Sequence, residues 1–312
     1  MSGDARASKL RITFVALLAS SVLAGCSVRE IAVDFMADAL AESGNVYAED
    51  DDPDLVREAL PFGLKTFEGL AVASPENAAL RAELAKGFAV YAFLLHDEAD
   101  RLDAANRARA NQLRKRASKL YLRARDYALD ALDISQPDFL TRLKADSLSA
   151  LAKTTIADID ALYWAGVSWA ASASLDKDNL DLIGDLPTAA GLVTRVLVLD
   201  ETFDRGAAHE FFIAYEGGRP GGSADAARQH YRRALELSQG QRASVHVTLA
   251  ETVVVSSQDR AEFEQLLELA MAVEPDAIPE MRLANTLAHR RARWLLSRAT
   301  DLFVLDERMP AS

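Results

Sequence analysis

The stretch Asp158-Ile159-Asp160-Ala161-Leu162-Tyr163-Trp164-Ala165-Gly166-Val167-Ser168-Trp169-Ala170-Ala171-Ser172-Ala173-Ser174-Leu175-Asp176-Lys177-Asp178 decides the fold. Ile159, Leu162, Tyr163, Gly166, Trp169, Ala170 and Ala173 recur at steps of three and four residues, the period of one face of a helix. No proline falls between Pro137 and Pro187, so nothing in the sequence breaks it. Trp164, Val167, Ser168 and Ala171 stand at the spacing of the first helix of a tetratricopeptide repeat. Small residues at the third and fourth of those positions let the second helix of a repeat approach closely. Large aromatic residues in such a helix are mostly core. Tyrosine and tryptophan also carry a polar atom on an apolar body, so one aromatic edge here is a candidate for facing a cavity.

The same pattern recurs on both sides. Gly63, Phe67 and Leu70 before Pro75 fit the end of a second repeat helix, and Leu84, Ala85 and Phe88 fit the next first helix. Tyr121, Ala124, Ala128 and Ala131 lead to Pro137; Ala189, Val193 and Val196 lead to Asp200-Glu201. Ala227, Tyr231 and Ala234 lead to Gln239-Gly240; Phe263, Leu267 and Ala270 lead to Glu274-Pro275. The ends at Glu201, Gln239 and Pro275 lie 38 and 36 residues apart, close to the 34-residue repeat. Those at Pro75, Pro137 and Glu201 lie 62 and 64 apart, so the early pairs carry inserted helices or degenerate repeats. Residues 285–303 read as one closing helix that hides the last apolar face. The expectation is an all-α chain, a cryptic tetratricopeptide-like helical-repeat solenoid with a C-terminal capping helix.

Bulk composition agrees. Only 15 glycines and 9 prolines in 312 residues are too few for the turns of a sandwich or barrel. Residues 1–25 hold three cations and one carboxylate, which leaves 32 basic against 46 acidic residues, a net of −14. So acidic a body argues against nucleic acid and against an anionic membrane face as partners. The lone cysteine excludes a disulfide framework and a thiolate metal site.

That cysteine ends a leader. Arg6, Lys9 and Arg11 precede an apolar run over 12–23, too short to span a bilayer as a mature helix. Leu23-Ala24-Gly25-Cys26 then reads as a lipobox, with cleavage before Cys26 and acylation of its sulfur. Several acyl chains on one residue anchor durably. The expected organisation is a lipoprotein signal peptide over 1–25 and a single domain over 26–312. Ser27, where an aspartate commonly retains a lipoprotein in the inner membrane, points to a periplasm-facing outer-membrane anchor. Val28, Ile31, Ala32, Phe35, Ala39 and Leu40 predict a helix directly after the lipid, ended by Ser43-Gly44-Asn45. The acidic run 49–52 lacks the glycine and distal glutamate of a calcium loop and reads as the cap of a helix starting near Asp54. Pro61 is expected to bend that helix or to start a second segment. The charged stretch 96–119, with Arg101, Arg109, Arg114, Arg116 and Lys119, reads as a solvated helix face rather than an anion site.

No catalytic constellation emerges. His209-Glu210 opens like a zinc-peptidase helix, but the second histidine would fall on Ile213. Gly166-Val167-Ser168-Trp169-Ala170 lies inside a helical period with no strand before it, so it cannot form a nucleophile elbow. The glycine-rich run 217–222 has neither the strand nor the lysine–serine pair of a phosphate loop. No metal or cofactor is implied. The candidates for binding a ligand or partner are Tyr163, Trp164 and Trp169 on the central helix, with His209, Glu210 and Tyr215 further on. Trp164 and Trp169, five residues apart, stand roughly 140° apart around a helix, so they face different ways. The second set offers hydrogen-bonding groups among Phe211, Phe212 and Ile213, as a mostly apolar solute site needs.

Several segments together resemble a known family. The lipobox is followed by Asp51-Asp52-Pro53-Asp54-Leu55-Val56-Arg57-Glu58-Ala59-Leu60-Pro61, then Tyr121-Leu122-Arg123-Ala124-Arg125-Asp126-Tyr127. After these come Leu162-Tyr163-Trp164 with Gly166 and Trp169, His209-Glu210-Phe211, Tyr215-Glu216 and Arg219-Pro220-Gly221. Arg290-Arg291-Ala292-Arg293-Trp294-Leu295-Leu296 completes the order. This is similar to the T component of TRAP-associated transporters, the TatT family, over nearly all of the mature chain. It departs at Asp200-Glu201, where the family usually has Asp-Pro. The resemblance implies a non-catalytic periplasmic lipoprotein that forms homotrimers and docks a solute-binding P component. It also implies that a small organic solute with apolar parts is passed toward a TRAP permease. The residues alone leave a second reading, a repeat adaptor in cell-envelope assembly without a solute site. A hydrolase is disfavoured by the missing catalytic groups. A neighbouring gene for a TRAP-type solute-binding protein favours the first reading.

Changing Cys26 to alanine should move the protein from the membrane to a soluble or precursor fraction. An unchanged fractionation, with no acyl mass on the N-terminal peptide of the natural protein, would contradict the leader reading.

Overall fold

A computed structural model describes residues 45–304, and all regular structure among them is helical. The leader, Cys26 and the helix expected over 28–40 lie outside the described residues. A single helical turn, Asn45–Ala48, precedes α1 (Pro53–Ala73). Asp52 caps α1 by accepting from the amides of Asp54 and Leu55, and Pro53 takes the first helical position, where its missing N–H costs nothing. Pro61 neither ends α1 nor starts a new segment. Val56, Leu60, Leu64 and Ala71 bury one stripe on both sides of it, and that shared burial outweighs one lost backbone bond.

α2 (Ala78–Arg101) and α3 (Arg107–Ser135) form the longest hairpin. Its contacts run in opposite order along the two helices, Asp100 with Arg114 and Tyr91 with Arg116, so the helices are antiparallel. The charged stretch 96–119 is therefore not one helix; Asp103 caps a short 3-10 turn, Ala104–Asn106, at its bend. Nor is it simply a solvated face. Arg109 pairs with Glu98 at 3.6 Å and Arg114 with Asp100 at 3.0 Å, and Arg123 ties Glu68 of α1 to α3.

Two short helices follow, α4 (Phe139–Ala145) and α5 (Ser147–Ala152), with Asp146 ending one and capping the other. The decisive stretch forms α6 (Ile159–Leu175), preceded by a 3-10 turn whose capping box joins Thr155 and Asp158. After α7 (Leu180–Gly184), α8 (Leu186–Leu199) lies against α6 at Gly166. A Cβ at that glycine would stand 2.6 Å from Val193 Cγ2 and 2.7 Å from the Ala189 carbonyl, so only glycine permits the approach.

α9 (Ala207–Gly218) and α10 (Ala224–Ser238) pair next, and left-handed Gln239 and Gly240 end α10 at the expected place. α11 (Ala243–Leu249) runs on into a π-helical turn, Ala250–Val254, before α12 (Arg260–Ala272). α13 (Arg282–Ser297) and the short α14 (Ala299–Leu302) end the described chain, so the expected closing helix is interrupted at Arg298.

The core forms three linked clusters. The first joins α1, α2 and α3 with Leu283 and Leu287 of α13. The middle one joins the end of α3 through α8 to Ala208 and Phe212 of α9. The last runs from Ile213 of α9 to Ala288, Ala292 and Leu295 of α13. α13 thus belongs to the first and the last cluster at once. It covers the apolar face of α12 and also returns the array to its start. Arg290 reaches Asp97 at 2.8 Å, Arg291 reaches Asp100 at 3.1 Å, and Arg282 donates to the Glu49 carbonyl at 2.7 Å.

Leu287, 7 % exposed, should be one of the residues the closure depends on. Leu287→Ala is expected to lower unfolding free energy by about 2–4 kcal/mol in urea titration. Phe62→Ala, at a position 82 % exposed, should stay within about 0.5 kcal/mol of the natural protein. Equal effects would contradict the assignment of α13 to the core.

Candidate functional site

Aromatic and buried charged groups gather where α6, the turn before α9, and the start of α11 meet. α6 supplies Tyr163 and Trp164, whose rings meet edge to face at 5.1 Å. Phe203 closes on Tyr163 at 5.3 Å. It comes from the 3-10 turn Phe203–Gly206, in which Asp204, Arg205 and Gly206 all have left-handed backbones, φ 39°, 53° and 87°. Only glycine adopts that region without strain, so two of the three positions cost on the order of 1 kcal/mol each.

Arg242 holds the turn in place. It is 7 % exposed and stands just before the first turn of α11. Its guanidinium donates to the Asp204 carbonyl and lies 2.9 Å from the Asp204 carboxylate and 3.4 Å from Glu210. Thr248 donates to the other Glu210 oxygen at 3.4 Å. Burial alone would lower the Arg242 pKa; Asp204 and Glu210 reverse this and hold it above its ordinary value. Burial raises the Tyr163 hydroxyl, and Asp204 and Glu210 add to the effect, so it remains a neutral donor at physiological pH. Toward α2, burial raises Asp160, with Lys86 opposing and Asp204 adding. Glu83 is raised in the same way, with Lys86 opposing and Asp160 adding. Such an arrangement presents aromatic edges and a neutral hydroxyl beside carboxylates already committed to a guanidinium.

Of the six residues singled out in the sequence, Tyr163, Trp164 and Glu210 come together here. The other three do not. Trp169 lies beneath the Arg125 guanidinium at 4.9 Å, on a different side of α6. Its indole N–H is buried without a hydrogen-bond partner in the structure. His209 is buried in the α9–α10 seam, with Nε2 3.0 Å from Glu201 and Nδ1 2.8 Å from His230 Nδ1. Tyr215 stacks on Phe211 at 5.8 Å, and Arg219 lies over its ring at 5.0 Å. Sequence reasoning missed Phe203, Asp204 and Arg242. The only local signal for them is Gly206, a turn residue just before α9. A shallow hollow of about 380 Å³ lies elsewhere, lined by Gly240, His246, Leu269 and Glu274 among others. Among the described residues no group of three or more histidine, cysteine, aspartate or glutamate side chains is placed to hold a metal ion. Nor is any described helix long and apolar enough to cross a membrane.

The fold is that of an all-helical protein. Its family follows from comparison with known proteins. The model of the TRAP transporter T-component family matches residues 49–303, and the chain belongs to that family. An uncharacterised protein of Treponema pallidum (strain Nichols) is 26 % identical over 317 residues, covering 95 % of this chain and 98 % of the relative. Membership gives the chain a role associated with TRAP transporters and fits a location in the cell envelope.

Removing the Arg242 guanidinium would leave two carboxylates facing a strained turn. Arg242→Met is therefore expected to cost about 3–5 kcal/mol of stability in urea titration. A loss below about 1 kcal/mol would show that something else holds the turn.

Proposed function

We propose that this chain is the accessory component of a TRAP transport system that docks a periplasmic solute-binding P component and helps pass it a small organic solute. The observation that carries this reading is the family match over 49–303, which spans every candidate site residue. In the proposal, residues 1–25 are removed and Cys26 is acylated. The domain over 26–312 then works as a tetratricopeptide-like solenoid at the periplasmic face, anchored to the outer membrane and assembled as a homotrimer. The role is non-catalytic and needs no cofactor or metal.

Solute contact is assigned first to Tyr163 and Trp164, with Phe203 beside them and Glu210 and Arg242 setting the polarity. An apolar body with a small polar end suits such a wall. Tyr215, with Phe211 and the Arg219 guanidinium, forms a second aromatic platform on α9 suited to a protein partner. Trp169, half-buried beneath Arg125, remains a candidate partner contact through the accessible part of its ring. His209 is engaged on both ring nitrogens, which supports a positioning role rather than direct contact.

Trp164→Ala and Tyr215→Ala are expected to weaken binding of solute or P component at least tenfold, about 1.4 kcal/mol, with a smaller proportional effect on melting. Normal binding of both partners by both variants, or simple unfolding, would place the binding surface elsewhere.

A further inference from the structure

His209 and His230 meet through like nitrogens, Nδ1 to Nδ1 at 2.8 Å, with the rings 5.1 Å apart. The proton positions follow from the neighbours. Arg233 grips both oxygens of Glu201, at 2.9 and 2.6 Å, and with His209 it holds the Glu201 carboxyl down to about 2. An ionised carboxylate only accepts, so His209 must carry its proton on Nε2, 3.0 Å away. His209 Nδ1 is then bare, and His230 must donate to it from its own Nδ1. The chain Arg233–Glu201–His209–His230 thus has one consistent arrangement at neutral pH.

Its response to acid is stepwise. A first proton leaves the contact intact: both Nε2 atoms then carry protons and one proton remains between the two Nδ1 atoms. A second proton must put an N–H on each Nδ1. That places two N–H donors against each other at 2.8 Å, and the rings must part. The charged groups facing the pair are Glu201 from the turn after α8, Arg233 from α10, and Glu216 from α9. Glu216 favours a charged His230, but it is already bound by Arg219 and by the Ser223 amide. Phe212 stacks on the His230 ring at 5.0 Å and keeps it in the seam.

We propose that this pair is a proton-operated latch between α9 and α10, closed through the first protonation and opened by the second, which regulates the Tyr163–Glu210–Arg242 cluster through Glu210, the next residue along α9. The regulatory half rests on reading that cluster as a binding site; the latch itself does not. The pKa directions agree. Burial lowers His209 against the pull of Glu201, and burial together with His209 lowers His230. The unfolded chain therefore binds more protons than the folded one just below the ordinary histidine value of about 6.5. Stability is complete above that value and is lost as pH falls through it toward the depressed folded values.

The test is the melting midpoint of the full chain at pH 7.5 and pH 5.0, with the histidine ring nitrogens followed by NMR. Two variants accompany it: His230→Gln, which keeps a donor for His209, and His230→Phe, which keeps the stack on Phe212. The natural protein should lose about 4 °C or more beyond the loss in either variant. The two rings should share one proton between their Nδ1 atoms until the midpoint falls. Equal losses in all three proteins, or both rings doubly protonated with no fall in the midpoint, would overturn the latch. Affinity for the P component is measured separately over the same range. A titrating latch with pH-independent affinity overturns the regulatory half alone. Normal binding by Trp164→Ala refutes the site reading and leaves the latch standing.

Discussion

Arg290 and Arg291 meet Asp97 and Asp100 across 193 and 191 residues of sequence. Bringing such distant segments together carries a loop-closure cost, so something must hold them. Leu283 and Leu287 do so by entering the core of the first hairpin, while Ala288, Ala292 and Leu295 enter the core beneath α12. The ion pairs then fix the register. Asp97 is almost wholly buried and is shared by Arg101 and Arg290, so a shifted α13 would strand a charge. The π-helical turn in α11 contributes Glu251, which takes the other side of Arg291. One helix therefore reads both ends of the array, and every helix between them has a fixed place.

Tyr163, Asp204, Glu210 and Arg242 come from three separate segments and are coupled electrostatically. The left-handed turn at Asp204 and Arg205 persists because a buried guanidinium is already required there by two carboxylates. Strain, charge and aromatic edges gather at this one place. α9 carries Glu210 of this cluster and, one residue before it, His209 of the histidine pair.

Much of this was legible in the sequence where the signal is local. The period of three and four over 159–173 predicted α6; the repeat template put its small residues at Ser168 and Ala171, whereas the close approach comes at Gly166. The acidic run before Pro53 was a cap, and Gln239-Gly240 was a helix end, because both act within one turn. The break between α2 and α3 was missed because charged residues on both sides share the same helical period; Asp103 was the only cue. The pairing of Arg109 and Arg114 with α2 was missed because composition shows charge but not its partner. At the candidate site, Tyr163, Trp164 and Glu210 stood out in the sequence as aromatic and polar residues in apolar runs, and the fold brings them together. Arg242 and Asp204 were not, since their importance lies in a contact made 38 residues apart.

The central claim is that the two ends of the array are physically joined. A double-mutant cycle on Asp100→Asn and Arg291→Met, read by urea unfolding, measures that junction directly. The account predicts a coupling of about 1–3 kcal/mol, as for contacting charged residues in one partly buried network. Additive effects, with coupling below about 0.3 kcal/mol, would mean that α13 does not meet the first hairpin and that the array is open.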